Sequence, residues 1–239
     1  MRDLTDLTIA ITGASAGIGA ATARALADAG ANVAMGARRV ERLQDLATGM
    51  GDRALVAEMD VRVPEDARNF VEQTVSRFGR LDGIVANAGI GAYGGIMDLT
   101  DDQLADMMDT NVAGTVWPIR AAVPRFLEQG GGDIVIVASV AGLRGAGDEA
   151  VYAATKFAQV GLAGGLDREL LEKNIRVSTL CPGGTATEFA MGSGRTPDMP
   201  GLDDMLRPED VAEAVLTVLR QPLSMRTLVW SMRSIKEQD

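Results

Sequence analysis

The chain contains no histidine, the side chain that most often carries protons near neutral pH. A replacement stands in VYAATKF, where Tyr152 and Lys156 are four residues apart and share one helix face. A phenol titrates near ~10, and an adjacent ammonium stabilises its ionised form, lowering that value toward working pH. Ser139 closes the apolar run DIVIVAS, so its hydroxyl projects over the carboxyl edge of a sheet. One proton-transfer step could use all three. Taken alone, the tyrosine–lysine spacing also suits a structural tyrosine with a buried ring and a wetted hydroxyl.

A second stretch, TGASAGIG at Thr12–Gly19, admits two chemistries. Gly13 to Gly17 satisfy the G-x-S-x-G pattern of a hydrolase nucleophile elbow. Such a serine needs a histidine to take its proton, and none is present. What remains is a strand, a turn bearing Gly13, Gly17 and Gly19, and a helix beginning near Gly17. Its backbone N–H groups and dipole face an anion, and missing β-carbons let a pyrophosphate approach closely. The spacing departs from the strict G-x-G-x-x-G fingerprint. A strict copy at Gly89–Gly94 opens no helix and reads as a loop. About 20 residues after such glycines an NAD-binding chain places an acid, and an NADP-binding chain an arginine. Here the second strand ends in Ala37-Arg38-Arg39, so NADP(H) is the expected cofactor. The alternative is that both arginines merely open a solvated helix, RRVERLQDL.

These residues need a scaffold, and the hydropathy pattern supplies one. Seven short apolar runs occupy 7–12, 32–37, 53–59, 83–88, 133–139, 175–180 and 227–231. Between them lie segments with helical periodicity, Gly19–Ala29, Pro64–Phe78, Asp101–Leu127, Glu149–Leu171 and Pro208–Leu219. Continuously apolar strands alternating with helices predict a doubly wound, Rossmann-type α/β domain, a seven-stranded parallel sheet with helices on both faces. The 239 residues suit one domain, residues 1–239. The glycine- and proline-rich stretch near 188–206 follows the sixth strand, where a substrate lid belongs.

Acidic residues outnumber basic ones 33 to 23, which disfavours nucleic acid and anionic membrane as partners. No run reaches the ~18 apolar residues of a membrane span, and the amino terminus lacks a signal-peptide pattern. The lone Cys181 forms no internal disulfide. A cytoplasmic protein without a metal site is expected.

In their order along nearly the whole chain these motifs resemble the short-chain dehydrogenase/reductase family. Its T-G-x-x-x-G-x-G matches Thr12–Gly19, its acid after the third strand matches Asp60-Val61, and its N-N-A-G matches Ala86 to Gly89, with alanine in first place. Its helical asparagine matches Asn111, its serine and Y-x-x-x-K match Ser139, Tyr152 and Lys156, and its P-G-x-x-x-T matches Pro182, Gly183 and Thr187. The resemblance implies that Tyr152 gives a proton to a substrate carbonyl oxygen to which Ser139 hydrogen-bonds. It implies that Lys156 binds the nicotinamide ribose and lowers the tyrosine pKa, while Asn111 holds a water that links the lysine to solvent. Gly13, Ser15, Gly17, Ile18, Gly19, Asn87, Ala88, Gly89, Pro182 and Gly183 then line the cofactor, Asp60 and Val61 contact adenine, and Thr185 and Thr187 orient the nicotinamide amide. The implied activity is NADP(H)-dependent interconversion of a small-molecule carbonyl and alcohol in a homodimer or homotetramer. A 3-oxoacyl thioester reductase and an idle NADP-sensing scaffold are the alternatives.

Overall fold

The computed structural model describes residues 1–237. Seven strands, β1 (Thr8–Thr12), β2 (Asn32–Ala37), β3 (Ala54–Glu58), β4 (Gly83–Ala86), β5 (Gly132–Val137), β6 (Ile175–Pro182) and β7 (Val229–Met232), form one sheet. Its order is β3-β2-β1-β4-β5-β6-β7, and every neighbouring pair is parallel. The helices are α1 (Gly17–Asp28), α2 (Val40–Ala47), α3 (Pro64–Phe78), α4 (Asp101–Met108), α5 (Gly114–Gln129), α6 (Ala150–Leu170) and α7 (Pro208–Leu219).

The strands are apolar on both faces because both faces are covered. Alternate side chains of β1 and β5 divide between two layers, Ile9, Ile11, Val135 and Val137 to one, Ala10, Ile134 and Ile136 to the other. Leu26 of α1, Leu43 of α2 and Val215 of α7 cover the first layer. Phe70 of α3, Phe126 of α5 and Ala163 of α6 cover the second. Each fully buried side chain of this size contributes about 1.5–3 kcal/mol. Strand order reverses between β1 and β4, and in such sheets a ligand settles in the crevice at the carboxyl ends of the strands there.

One expected element is not continuous. The segment Asp101–Leu127 splits into α4 and α5 around a π turn, Asp109–Ala113. The Gly114 N–H reaches back five residues to Asp109 O, which widens the helix locally. Pro118, one turn into α5, has no N–H with which to continue a regular ladder. A side chain on Gly114 would also meet Val61 Cγ2 at 2.6 Å, so the loop after β3 can pack against the break. Among the described residues no helix is long and apolar enough to cross a membrane, and no cluster of acidic or cysteine side chains could hold a metal.

Candidate active site

The reversal point is tied by Thr12 and Asn87. Thr12 Oγ1 accepts from the Asn87 and Ala88 N–H groups at 3.1 and 3.2 Å, and Asn87 Nδ2 donates to Thr12 O and Gly13 O at 3.0 and 3.2 Å. This packing dictates glycine: a β-carbon on Gly13, where φ is +68°, would lie 2.7 Å from Ala88 Cα, and one on Gly19 would lie 2.6 Å from Asn87 Nδ2. No side chain caps the start of α1, so its first N–H groups are left for an external acceptor. A turn that lacks β-carbons at Gly13, Gly17 and Gly19, beneath an uncapped helix, fits a pyrophosphate.

Above it opens a cleft of about 1050 Å³. Of the catalytic and cofactor-binding residues expected from the sequence, all but Gly19 and Asn111 line it. At one end Arg39 donates to Ser15 Oγ at 3.2 and 3.3 Å and pairs with Glu188 at 2.5 Å. Arg42 donates to both Glu188 oxygens at 2.8 and 2.9 Å. Hydrogen bonds from Arg39 and then Arg42 hold the Glu188 carboxyl below the usual range. Asp60 is engaged by Arg62 at 2.7 Å, and that bond is the main reason its carboxyl is also lowered.

At the other end, Ser139 follows β5, and its Oγ accepts from the Ala141 N–H at 3.1 Å. The turn it opens lies against α6 because Gly142 has no side chain; a β-carbon there would be 2.7 Å from Lys156 O. The buried stripe of α6 includes Tyr152 and Lys156, 6% and 3% exposed. Tyr93 and Phe189 pack around the Tyr152 ring, with centroids at 5.7 and 5.8 Å. Lys156 Nζ lies 5.7 Å from the same ring centroid and donates to Gln159 Oε1 at 2.9 Å and Val137 O at 3.4 Å. Burial pushes the Tyr152 phenol up, Tyr93 adds to this, and the Ser139 hydroxyl pulls down. Burial lowers Lys156 to about 8. The expected acidification of the phenol is therefore reversed in the chain alone: burial disfavours the phenolate, and Tyr152 keeps its proton.

The chain matches the sequence model of the short chain dehydrogenases over residues 7–198. It belongs to that family. An uncharacterized oxidoreductase of Staphylococcus aureus strain MW2 is 35% identical over 223 residues, 93% of this chain and 94% of the relative. The alcohol dehydrogenase of the archaeon Thermococcus sibiricus, solved with 5-hydroxy-NADP, superposes with a TM-score of 0.89 at 30% identity, covering 98% of both chains. A 3-ketoacyl-(acyl-carrier-protein) reductase from Brucella melitensis, solved with NADH, gives a TM-score of 0.86 at 30% identity, covering 96% of both chains. The protein is thus an oxidoreductase with a nucleotide-binding, Rossmann-like fold.

In this short chain dehydrogenase Asn111 sits on the π turn, fully buried. Its side chain exchanges hydrogen bonds of 2.8 Å with Ile90 N and O and donates to Thr155 Oγ1 at 3.0 Å. Its backbone carbonyl accepts from Thr115 Oγ1 at 2.7 Å and Gln159 Nε2 at 2.9 Å. Gln159 and Arg195 were not singled out from the sequence. The signal for Gln159 was its register: 152, 156 and 159 follow one helix face at i, i+4 and i+7. Arg195 gave none, since only the tertiary fold brings its guanidinium to 5.9 Å from the Phe189 ring and 6.0 Å from the Tyr93 ring.

Proposed function

We propose that the protein is an NADP(H)-dependent oxidoreductase that interconverts a small-molecule carbonyl and alcohol, with Tyr152 as the proton donor and acceptor. The observation that carries this reading is a buried, protonated Tyr152 facing the cleft beside Ser139, with the Lys156 ammonium behind it, in a chain that has no histidine. When bound, the nicotinamide supplies or takes the hydride at the substrate carbon. The chain acts at the substrate oxygen. In reduction Ser139 donates a hydrogen bond to the carbonyl oxygen and Tyr152 passes its phenolic proton there, so that negative charge does not accumulate. Lys156 then stabilises the phenolate left behind.

NADP(H) over NAD(H) is supported by the far end of the cleft. Arg39 and Arg42 already grip an anion there, the Glu188 carboxylate, and Arg38, next to Arg39 in the chain, also lines the cleft. A 2′-phosphate presents the same chemistry. One domain spans residues 1–239, and the 188–206 segment acts as the substrate lid, supported by Phe189 and Arg195 against the Tyr152 pocket. Exposed Leu127 on α5 and Phe157 on α6 support assembly as a homodimer or homotetramer.

The test is a panel of ketones, aldehydes, alcohols and one 3-oxoacyl thioester, followed by nicotinamide absorbance with each dinucleotide. Turnover of small carbonyls with NADPH ahead of NADH supports the reading. Turnover of the thioester alone, or NADPH binding without turnover, overturns it.

A further inference from the structure

Gln159 belongs to none of the motifs of the sequence, yet it is 1% exposed and both polar atoms of its amide are used. Oε1 accepts from Lys156 Nζ at 2.9 Å, while Nε2 donates to Asn111 O at 2.9 Å and Thr115 Oγ1 at 2.7 Å. Partner chemistry fixes this orientation. An ammonium only donates and a peptide carbonyl only accepts, so the amide oxygen must face the lysine and the NH₂ must face Asn111. Thr115 spends its one proton on Asn111 O and can only accept from Gln159. Every donor and acceptor in the cluster has one consistent assignment.

We propose that Gln159 is a positioning residue that holds Lys156 in its ammonium form beside Tyr152, anchoring it through the amide to the π turn at Asn111. The proposal rests on the oxidoreductase reading of Tyr152 and Lys156. Without the amide oxygen, Lys156 keeps only Val137 O at 3.4 Å. The other elements around it offer little. Helix α6 presents the Tyr152 phenol, β6 presents the Cys181 thiol, which favours the lysine charge, Gly89 has no side chain, and Asp109, the one titratable residue of the π turn, is exposed to solvent. Among the described residues no carboxylate pairs with Lys156. A buried ammonium stripped of its best acceptor releases its proton more readily.

The chain has only three lysines, Lys156, Lys173 and Lys236. Lysine labelled with carbon-13 at Cε therefore gives three resonances, assigned by Lys173→Arg and Lys236→Arg, whose pH titration reports Lys156 in the ligand-free protein. Gln159→Leu removes the acceptor at nearly constant volume; Gln159→Glu places a negative charge in its position. The expected result is a Lys156 midpoint about one unit lower in the leucine variant and at least as much higher in the glutamate variant. The alkaline limb of kcat for NADPH-driven reduction should follow in the same directions, with KM for NADPH little changed. General loosening of the site would move both variants the same way. Equal-signed shifts, or an unmoved midpoint, overturn the proposal. If Gln159→Leu does not fold, the absence of an upward shift in Gln159→Glu overturns it alone. Opposite midpoint shifts in a protein that reduces no carbonyl would leave Gln159 in its role and remove the functional reading instead.

Discussion

At the scale of residues, the site sets two acids against their ordinary behaviour by the same cause. Burial favours the neutral form of each, so Tyr152 holds its proton more tightly and Lys156 less tightly. A protonated phenol is the donor that carbonyl reduction needs, and the ammonium is needed only once that proton has left. Because Lys156 titrates at about 8, it is charged below that pH and neutral above it. The kcat of reduction should therefore fall as pH rises through about 8. A profile flat well beyond that point would disconnect the lysine from the chemistry. Tyr152→Phe removes the proton and little else, since the ring keeps its contacts with Tyr93 and Phe189. It should lower kcat by about 10²–10⁴-fold and leave NADPH binding, read by fluorescence titration, nearly unchanged. The pair and its serine were legible in the sequence because spacing on a helix and position at a strand end are local. The direction of the phenol shift was not, because it depends on the apolar walls brought by Tyr93 and Phe189 from distant loops.

At the scale of elements, what was legible divides along the same line. The strands and helices α3 and α7 were readable because continuous apolar runs and a proline at the first helical turn are local signals. The break in Asp101–Leu127 was hidden, because a π turn is a one-turn change of backbone pairing inside a helix and carries no residue signal of its own. Asn111 could be named but not its burial, and the link to Gln159 requires α5 and α6 to lie side by side. The loop that follows β6 shows a further tertiary effect. It carries Glu188 to the guanidiniums of Arg39 and Arg42, so an internal carboxylate holds the arginines to which the proposed function assigns the 2′-phosphate. Both arginines and the glutamate are half exposed, so solvent weakens the latch and a dianion can displace it. Two variants then move NADPH affinity in opposite directions. Arg39→Ala should weaken it by roughly 10–100-fold, the loss of a charge-assisted bond. Glu188→Gln should tighten it by removing the competitor. Dissociation constants for NADH should move little in either case, and equal changes for both dinucleotides would refute the assignment.

At the scale of the whole molecule, the two ends of the sheet have different duties. The carboxyl ends of the strands open into the cleft and leave backbone groups free for ligands. The amino ends are closed by carboxylates. Asp82, 5% exposed, accepts from the Thr8 N–H at the start of β1 at 2.9 Å and from Arg80 at 2.8 Å. Asp133, 4% exposed, holds Arg2 at 2.6 Å and Arg176 at 2.7 Å. Arg176 in turn donates to the Gln221, Pro222 and Met225 carbonyls at 3.0–3.2 Å, fastening the connection from α7 to β7 onto β6. Asp133→Ala leaves that guanidinium buried among carbonyls without its counter-charge. The cost should be about 3–5 kcal/mol, because the stranded charge and not the lost attraction sets the penalty. In a chain of this size that is a fall of roughly 10 °C in melting temperature. Arg2→Ala should cost less, since Arg176 remains to answer the carboxylate and Arg2 is itself partly exposed. Neither change reaches the cleft, so kcat and KM measured well below the transition should stay within about twofold of the parent. A melting temperature that does not move would show the ionic closure to be dispensable. A collapse of kcat in the folded variant would show instead that the amino edge of the sheet holds the catalytic edge in register.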